Sequence, residues 1–197
     1  MFTGIVQSVG EVRAVTSRGG DVELLIGAAG LDLKSVAIGD SISCSGCCLT
    51  VTRIEGHAFA ADASLETLNV TTLGQWRPGQ KLNLEKALCA GQPLGGHYVT
   101  GHVDGIASVT ERLNDARSIR VQFEVPKQLA RYIARKGSVC VDGVSLTVND
   151  VDGAKFSVNL IPHTLEVTTL NEYRAGTRVN LEVDIIARYL ERLNAPA

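Results

Sequence analysis

Apolar residues in this chain come in short β-branched runs broken by Gly, Asp and Pro. GIVQSVGEVRAV, DVELLIG, DSISCSGCCLTVTRI, HAFAADAS and KLNLE carry the first part of the chain. Breaks at roughly ten-residue spacing predict short strands that close into a small barrel or sandwich. GDSI and PGQKLNL read as turns that feed strands. Helical spacing is confined to a few places. PKQLARYIARKG (Pro126 to Gly137) has Pro in its first turn, Gly at its stop, and Leu129, Tyr132, Ile133 and Lys136 at helical spacing, which predicts a short helix. LDLKSVAIG is its weaker counterpart nearer the N-terminus. DIIARYLERLN (Asp184 to Asn194) sets Ile185, Ile186, Tyr189, Leu190 and Leu193 on one helix face, with Arg188, Glu191 and Arg192 opposite. That stripe needs burial against its own barrel or against another subunit, and the pattern leaves both open.

The whole pattern occurs twice. Displaced by 97 residues, Ser41–Ala87 overlays Ser138–Asp184 without a gap and with 18 of 47 positions identical. Unrelated sequences of ordinary composition match at about one position in fifteen. LTV recurs at 49 and 146, TLNVTTL is answered by TLEVTTL, PGQKLNLE by AGTRVNLE, and FTGIV (Phe2 to Val6) by VTGHV (Val99 to Val103). Two copies make a duplication, since a solenoid needs three or more. With 197 residues, each copy is long enough to bury its own core. The Gly-rich CAGQPLGGHY (Cys89 to Tyr98) divides the chain into units at 1–95 and 96–184, followed by a helical unit at 185–197.

Composition narrows the function. The net charge is −2, with 45% hydrophobic and 20% charged residues and no basic blocks, so neither nucleic acid nor an anionic membrane is expected as partner. MFTGIVQS has no positive n-region, and no apolar run approaches the roughly 20 residues of a membrane span. A cytoplasmic protein is expected. Cys44, Cys47, Cys48, Cys89 and Cys140 are odd in number, which fits free thiols in a reducing compartment. CSGC lacks the second Cys pair of a structural zinc site, and no βαβ context supports a thioredoxin reading. No metal is expected. A phosphate loop with its Lys-Ser/Thr and a G-x-S-x-G elbow are both missing.

A duplicated binding fold invites a duplicated ligand. Thr3/Thr100, Gly4/Gly101, Leu49/Leu146, Thr50/Thr147 and Thr67/Thr164 are identical in both copies and would frame a flat heterocycle with donors and acceptors. The TTL and NLE matches read more simply as strand chemistry kept by any duplicated barrel. Other pairs change their chemistry: Cys48/Ser145, Ile5/His102, Gln7/Asp104, Ser45/Asp142, Glu66/His163, Ala87/Asp184 and Gly39/Lys136. Two pockets of one shape and unequal polarity suit two copies of one substrate in unequal roles.

MFTGIVQ, GCCLTV, GGHYVTGHVD, DGVSLTV and LIPHTL…TTL, taken in order over essentially the whole chain, resemble the riboflavin synthase alpha-chain family. LTV alone carries no weight; the ordered set does. The resemblance implies an all-β fold of two similar six-stranded Greek-key barrels plus a C-terminal helix, assembled through those helices into a homotrimer. It implies a dismutation that needs no cofactor. Two molecules of 6,7-dimethyl-8-(D-ribityl)lumazine exchange a four-carbon unit, giving riboflavin and 5-amino-6-(D-ribitylamino)uracil. Lumazine synthase is the implied protein partner.

On the same resemblance, the site lies between the N-terminal barrel of one subunit and the C-terminal barrel of its neighbour. One lumazine would touch Cys48, Leu49, Thr50, Asp62, Ala63, Ser64, Leu65, Glu66 and Thr67, with Gly101, His102, Val103 and Lys136 lending contacts. The other would touch Ser145, Leu146, Thr147, Leu160, Ile161, Pro162, His163, Thr164 and Leu165, with Gly4, Ile5 and Val6. His102 is the candidate for proton transfer, and Cys48 and Ser145 are polar groups at the two rings. Asp142, Asp184 and Lys136 would orient or protonate intermediates, and Phe2 would pack at the pocket entrance. His163 stands where many relatives carry Glu, and the tail NAPA is short. Three rivals stay open: a non-catalytic lumazine binder like the lumazine proteins of luminous bacteria, a flavin-dependent reductase domain, and a scaffold.

Overall fold

Alternation of buried and outward positions marks the longer strands. Along Cys47–Glu55, Cys47, Leu49 and Val51 point into a core, while Cys48 is half-buried and Thr50 exposed, the period of two that a half-buried strand requires. The structure, a computed structural model, describes residues 1–195. Pro196 and Ala197, at the end of the expected 185–197 unit, lie outside the described residues.

Six strands, β1 (Ser8–Arg18), β2 (Asp21–Gly27), β3 (Ser41–Cys44), β4 (Cys47–Glu55), β5 (Ala58–Ala63) and β6 (Lys81–Lys86), close into an antiparallel barrel in the order β1-β2-β5-β4-β3-β6. A second barrel repeats that order with β7 (Gly105–Asp115), β8 (Ser118–Glu124), β9 (Ser138–Val141), β10 (Val144–Asp152), β11 (Lys155–Leu160) and β12 (Arg178–Val183). Each strand starts and ends 97 residues after its counterpart. Even the bulges recur, at Val12/Ala14 and Val109/Glu111, and at Val51/Arg53 and Val148/Asp150. Closure leaves no free sheet edge to manage. Leu24, Ile26, Phe59 and Leu84 fill the first barrel, and Val121, Phe123, Phe156 and Leu181 the second.

Helices differ from the sequence expectation. The helix expected over 126–137 is a single turn, α2 (Lys127–Ala130). Leu129 and Ile133 are buried as their spacing implies, but the chain must then enter β9 at Ser138. It does so with Lys136 at φ 65° and its N–H donated to the Val148 carbonyl. LDLKSVAIG holds only a 3-10 turn at Leu33–Ser35, capped by Asp32. Helices instead form just ahead of the two TTL segments, α1 (Leu65–Val70) and α3 (Pro162–Val167), and TTL, read as strand chemistry, caps them and opens a 3-10 turn after each. The repeated threonines explain it. Thr71 and Thr168 donate to the carbonyls of Thr67 and Thr164, ending each helix, and accept from Leu73 and Leu170 N–H, starting each turn. Leu73 and Leu170 then enter the barrel cores.

The final helix, α4 (Ile185–Asn194), is held by its polar side. Asp184 caps it, Glu191 pairs with Arg131 at 2.9 Å and with the Tyr132 hydroxyl, and Arg188 pairs with Asp104. None of the described α4 residues is buried, and Tyr189 and Leu193 are 66% and 80% exposed. The apolar stripe therefore faces away from its own barrel. Among the described residues no helix is long and apolar enough to cross a membrane.

The barrels meet at two tight turns. Ser45-Gly46 and Asp142-Gly143 carry the paired positive φ angles of a type I′ hairpin (44°, 84° and 44°, 78°). They abut so closely that a Cβ at Gly143 would lie 2.9 Å from the Gly46 nitrogen. Asn83 and Asn180 lock this seam reciprocally. Asn83 donates to the Asp142 carbonyl and accepts from Thr169 N–H, at 2.9 and 2.8 Å. Asn180 donates to the Ser45 carbonyl and accepts from Thr72 N–H, at 2.8 and 2.7 Å.

Asp142 is buried in the seam, accepting from the Tyr173 hydroxyl and Asn180 N–H at 2.6 and 2.7 Å. Burial outweighs these donors and pushes its carboxyl up from 3.8 to about 7. Between those values the folded chain keeps a proton the unfolded chain has lost, so stability falls as pH rises from 3.8 to about 7 and is flat above. Asp142→Asn should lose that slope and gain on the wild type between pH 4.5 and pH 8. Urea midpoints across this range check it, and parallel curves for the two proteins would refute it.

Candidate functional site

The duplicated Thr-Gly pairs sit where the two halves cross. Thr3 donates its N–H and hydroxyl to Glu85 Oε1, both at 2.7 Å, and Gly4 N–H reaches Oε2 at 3.0 Å. Thr100 and Gly101 make the same three bonds to Glu182, at 2.7, 2.7 and 2.9 Å. Burial pushes the Glu85 carboxyl up even against its three donors. Each pair is thus tied to the last strand of its own half. Its carbonyl serves the other half: Gly4 O accepts from Ser145 N–H at 2.8 Å and Gly101 O from Cys48 N–H at 2.9 Å. Only glycine fits, since φ is +76° and +78° and a Cβ would lie 2.6 Å from the Cβ of Ser145 or Cys48.

The two crossings differ in their surroundings. A groove of about 160 Å³ at the first is lined by Cys48 and Thr71, by Glu66, Thr67 and Val70 of α1, and by Gly101, His102 and Val103. It opens beside a cavity of about 420 Å³ shared by Glu66, His102, Asp104, Glu182 and Arg188. The counterpart of Cys48 is Ser145 on β10. Ile5, Ile161 and Val167 are exposed apolar side chains on the counterpart segments. Here the linker intrudes: a Cβ at Gly96 would lie 2.1 Å from Thr3 O and 3.2 Å from Ser145 Oγ.

Next to Gly96, His97 places Nδ1 2.7 Å from Ser145 Oγ. The residue is 9% exposed, and its Nε2 has no hydrogen-bond partner among the described residues. Burial pulls its pKa down, against the opposing carboxylates of Asp184 and Glu182, so the ring is neutral at pH 7 and can hand a proton either way. The sequence comparison missed His97, because it falls one position before the counterpart of Met1 and so has no first-half residue opposite it. The signal that remained was a His directly after the Gly-Gly of the linker.

Other candidates fall elsewhere. Leu49, Ala63, Leu146 and Leu160 point into the barrel cores and can offer a ligand only backbone. Strand alternation already carried that information. Thr50, Thr147 and Asp62 are exposed on outer barrel faces. Ser64 caps α1, accepting from Thr67 N–H, and Leu65 is exposed at its first position. Pro162 and His163 are exposed at the start of α3, with Thr164 and Leu165 half-buried behind them. Val6 packs against the second barrel. Lys136 is exposed in the turn before β9, bonded to the second barrel rather than placed beside Cys48 of its own chain.

Three of the expected catalytic groups have other engagements within this chain. The Asp142 carboxyl is consumed by Tyr173 and Asn180 at the seam, away from Ser145. That seam also borders a cavity of about 690 Å³, whose walls include Trp76, Glu172, Arg174 and Arg178 but neither Cys48 nor Ser145. Phe2 is fully buried with Val99 and Cys140, against Cys48 and Ala87, so it supports the Cys48 groove from below and stands at no entrance. Asp184 spends one oxygen capping α4. Cys44 and Cys47 face each other across the β3–β4 hairpin, both buried. Burial pushes Cys47 up to about 12 and Cys44 well above the usual thiol range, which leaves both unreactive near neutral pH.

Comparison with known proteins adds to this geometry. The lumazine binding domain matches twice, over residues 3–87 and 100–184. The riboflavin synthase of Photobacterium phosphoreum is 47% identical over 193 residues, covering 98% of this chain and 88% of that one. That of Brucella abortus is 45% identical over 198 residues, covering 98% of each. That of Bacillus subtilis is 37% identical over 192 residues, covering 98% and 89%. Among solved structures, LumP complexed with riboflavin superposes with a TM-score of 0.84 at 29% identity, covering 93% of this chain and 99% of that one. LumP with 6,7-dimethyl-8-(1'-D-ribityl) lumazine gives 0.83 at 27% over the same shares.

Burial ranks the five thiols. In a titration with a chromogenic disulfide, exposed Cys89 should react first and half-buried Cys48 more slowly, with Cys44, Cys47 and Cys140 silent until the chain unfolds. Early reaction of either CSGC thiol would contradict this packing.

Proposed function

The chain belongs to the riboflavin synthase family, and we propose that it converts two molecules of 6,7-dimethyl-8-(D-ribityl)lumazine into riboflavin and 5-amino-6-(D-ribitylamino)uracil. A four-carbon unit passes from one lumazine to the other, so atoms and electrons balance within the substrate pair and no cofactor is called on. The observation that carries this reading is the crossed pair of Thr-Gly contacts, each joining the strand of one barrel to the Thr-Gly segment of the other half, with the Cys48 groove opening at one of them. Donor and acceptor are the same molecule, so one frame used twice gives two seats of similar shape. Their chemistry then differs: Cys48, Glu66 and His102 at one, Ser145, His97 and Ile5 at the other.

The first chemical step is loss of a proton from the lumazine 7-methyl group, whose carbanion delocalises into the ring. His102 is exposed beside Cys48 and is the proposed base. General base catalysis of this kind contributes about 10² to 10⁴-fold, and holding two rings in contact supplies much of the remainder. Ser145 with His97 forms the proton-handling pair of the second seat, with Asp184 a nearby carboxylate. Lys136 is proposed to reach the first seat from a neighbouring subunit.

Each chain carries its two seats on separate barrels, so contact between rings calls for a second copy. We propose a homotrimer joined through the exposed apolar stripe of α4, with the reacting pair formed across subunits. Lumazine synthase would supply the substrate, and the five free cysteines support a cytoplasmic location. Likeness to LumP favours one rival, a carrier that binds lumazine without converting it.

Purified protein incubated with the lumazine should gain riboflavin absorbance. Cys48→Ala and His102→Ala should each lower kcat at least about tenfold with the assembly intact. Near-normal turnover in either variant removes that residue from the mechanism, and saturable lumazine binding without conversion in the wild type would favour the carrier.

A further inference from the structure

We propose that Arg188 of the C-terminal helix is a positioning residue for the Cys48 groove, acting through Asp104, and that the Ser145 side has no equivalent link. The proposal rests on the riboflavin synthase reading for its ligand. The duplication supplies an internal control. In the first half, Gln7 N–H donates to Leu84 O at 2.9 Å, and its side-chain Oε1 accepts from Lys86 N–H at 3.0 Å. In the second, Asp104 N–H donates to Leu181 O at 2.8 Å, and Oδ2 accepts from Val183 N–H at 2.6 Å. These are the same bonds 97 residues apart, and each pins the segment that carries a Thr-Gly pair.

The difference lies in the remaining side-chain atom. At Gln7 it is a neutral amide. At Asp104 it is a carboxylate oxygen paired with the Arg188 guanidinium. The Asp104 side chain is 2% exposed and that of Arg188 is 45%, so a buried anion is matched by a cation reaching in from solvent. The surrounding cavities diverge in the same way. Around Gln7 one of about 300 Å³ is walled by linker residues Leu88 and Gln92 to Gly95. Around Asp104 its mate, about 420 Å³, is walled by Ile185 and Arg188 of the helix. His102 and Val103 line both this cavity and the Cys48 groove. Asp104 is two residues from His102, and Glu182, holding Thr100 and Gly101, is the anchor at the other end.

Withdrawing Arg188 leaves a buried carboxylate without its cation, a state that is strongly disfavoured. Asp104 must then move toward water, and His102 moves with it. By linkage the coupling runs both ways: a filled Cys48 groove favours the docked helix, and a docked helix favours a filled groove. Since α4 also presents the apolar stripe, assembly and the state of this one seat are joined.

Arg188→Gln, Asp104→Asn and the double variant test the link in the full-length chain, with sedimentation and thermal melting confirming fold and assembly. Arg188→Gln should raise KM about tenfold and lower kcat as well, because displacing Asp104 also shifts His102, the proposed base. Asp104→Asn buries no charge and should raise KM only about threefold, and the double variant should resemble it rather than add the two losses. Added salt should raise the wild-type KM and leave that of Arg188→Gln unchanged. KM values within about twofold of wild type for both single variants, or losses that multiply in the double, would overturn the proposal. If Arg188→Gln fails to assemble, Asp104→Asn and the salt series decide. A wild type that binds lumazine without converting it sinks the enzyme reading alone, and dissociation constants from lumazine fluorescence then read the same variants.

Discussion

The contact on which the rest depends is the meeting of two hairpin tips. Ser45-Gly46 and Asp142-Gly143 approach to backbone distance, and Asn83 and Asn180 each reach across to the opposite tip and to the turn beyond it. Four cross-half hydrogen bonds, three of them buried, follow from two side chains. Their partners are backbone groups that would be costly to leave unmade. Because the bonds are reciprocal, the two barrels take one relative orientation, and that orientation brings β4 of one half beside the Thr-Gly segment of the other.

From that orientation the two crossings follow. Gly101 can accept from Cys48, and Gly4 from Ser145, only if each Thr-Gly pair is held on its own strand by a glutamate while its carbonyl points away. Every link in this chain has a twin, so the frame treats both seats alike. Inequality enters through thiol against hydroxyl, His102 against Ile5, a buried His97 reaching Ser145 from the linker, and Asp104 with its Arg188 partner against Gln7.

Much of this was legible in the sequence, for physical reasons that can be named. Strand runs show because burial alternates with period two, and the duplication shows because a barrel keeps its length: all twelve strands fall in register at one displacement. The TTL segments were misread because threonine is common in strands. Here its hydroxyl closes a helix and opens a turn, a local use that composition does not reveal. Asn83 and Glu85, passed over as strand residues within NLE, are the seam lock and the Thr-Gly anchor. A polar residue kept in both copies of a buried strand was the available sign, since burial demands a partner. His97 had no twin to be compared with, and Asp142 drew attention by its change from Ser45 although its carboxyl was needed at the seam.

The pattern of identities then acquires a physical meaning. Residues identical in both halves, Thr3 and Thr100, Gly4 and Gly101, Asn83 and Asn180, Glu85 and Glu182, bond across or between elements, so a change at one alters two places at once. Gly4 is the clearest case. It is held by Glu85 of the first barrel and caps Ser145 of the second, so a side chain there would displace β10 and strain the first barrel together. Cys48 and Ser145 carry no such double load. Their N–H groups hold the frame whatever the side chain, which leaves sulfur or oxygen to be chosen by the chemistry of each seat.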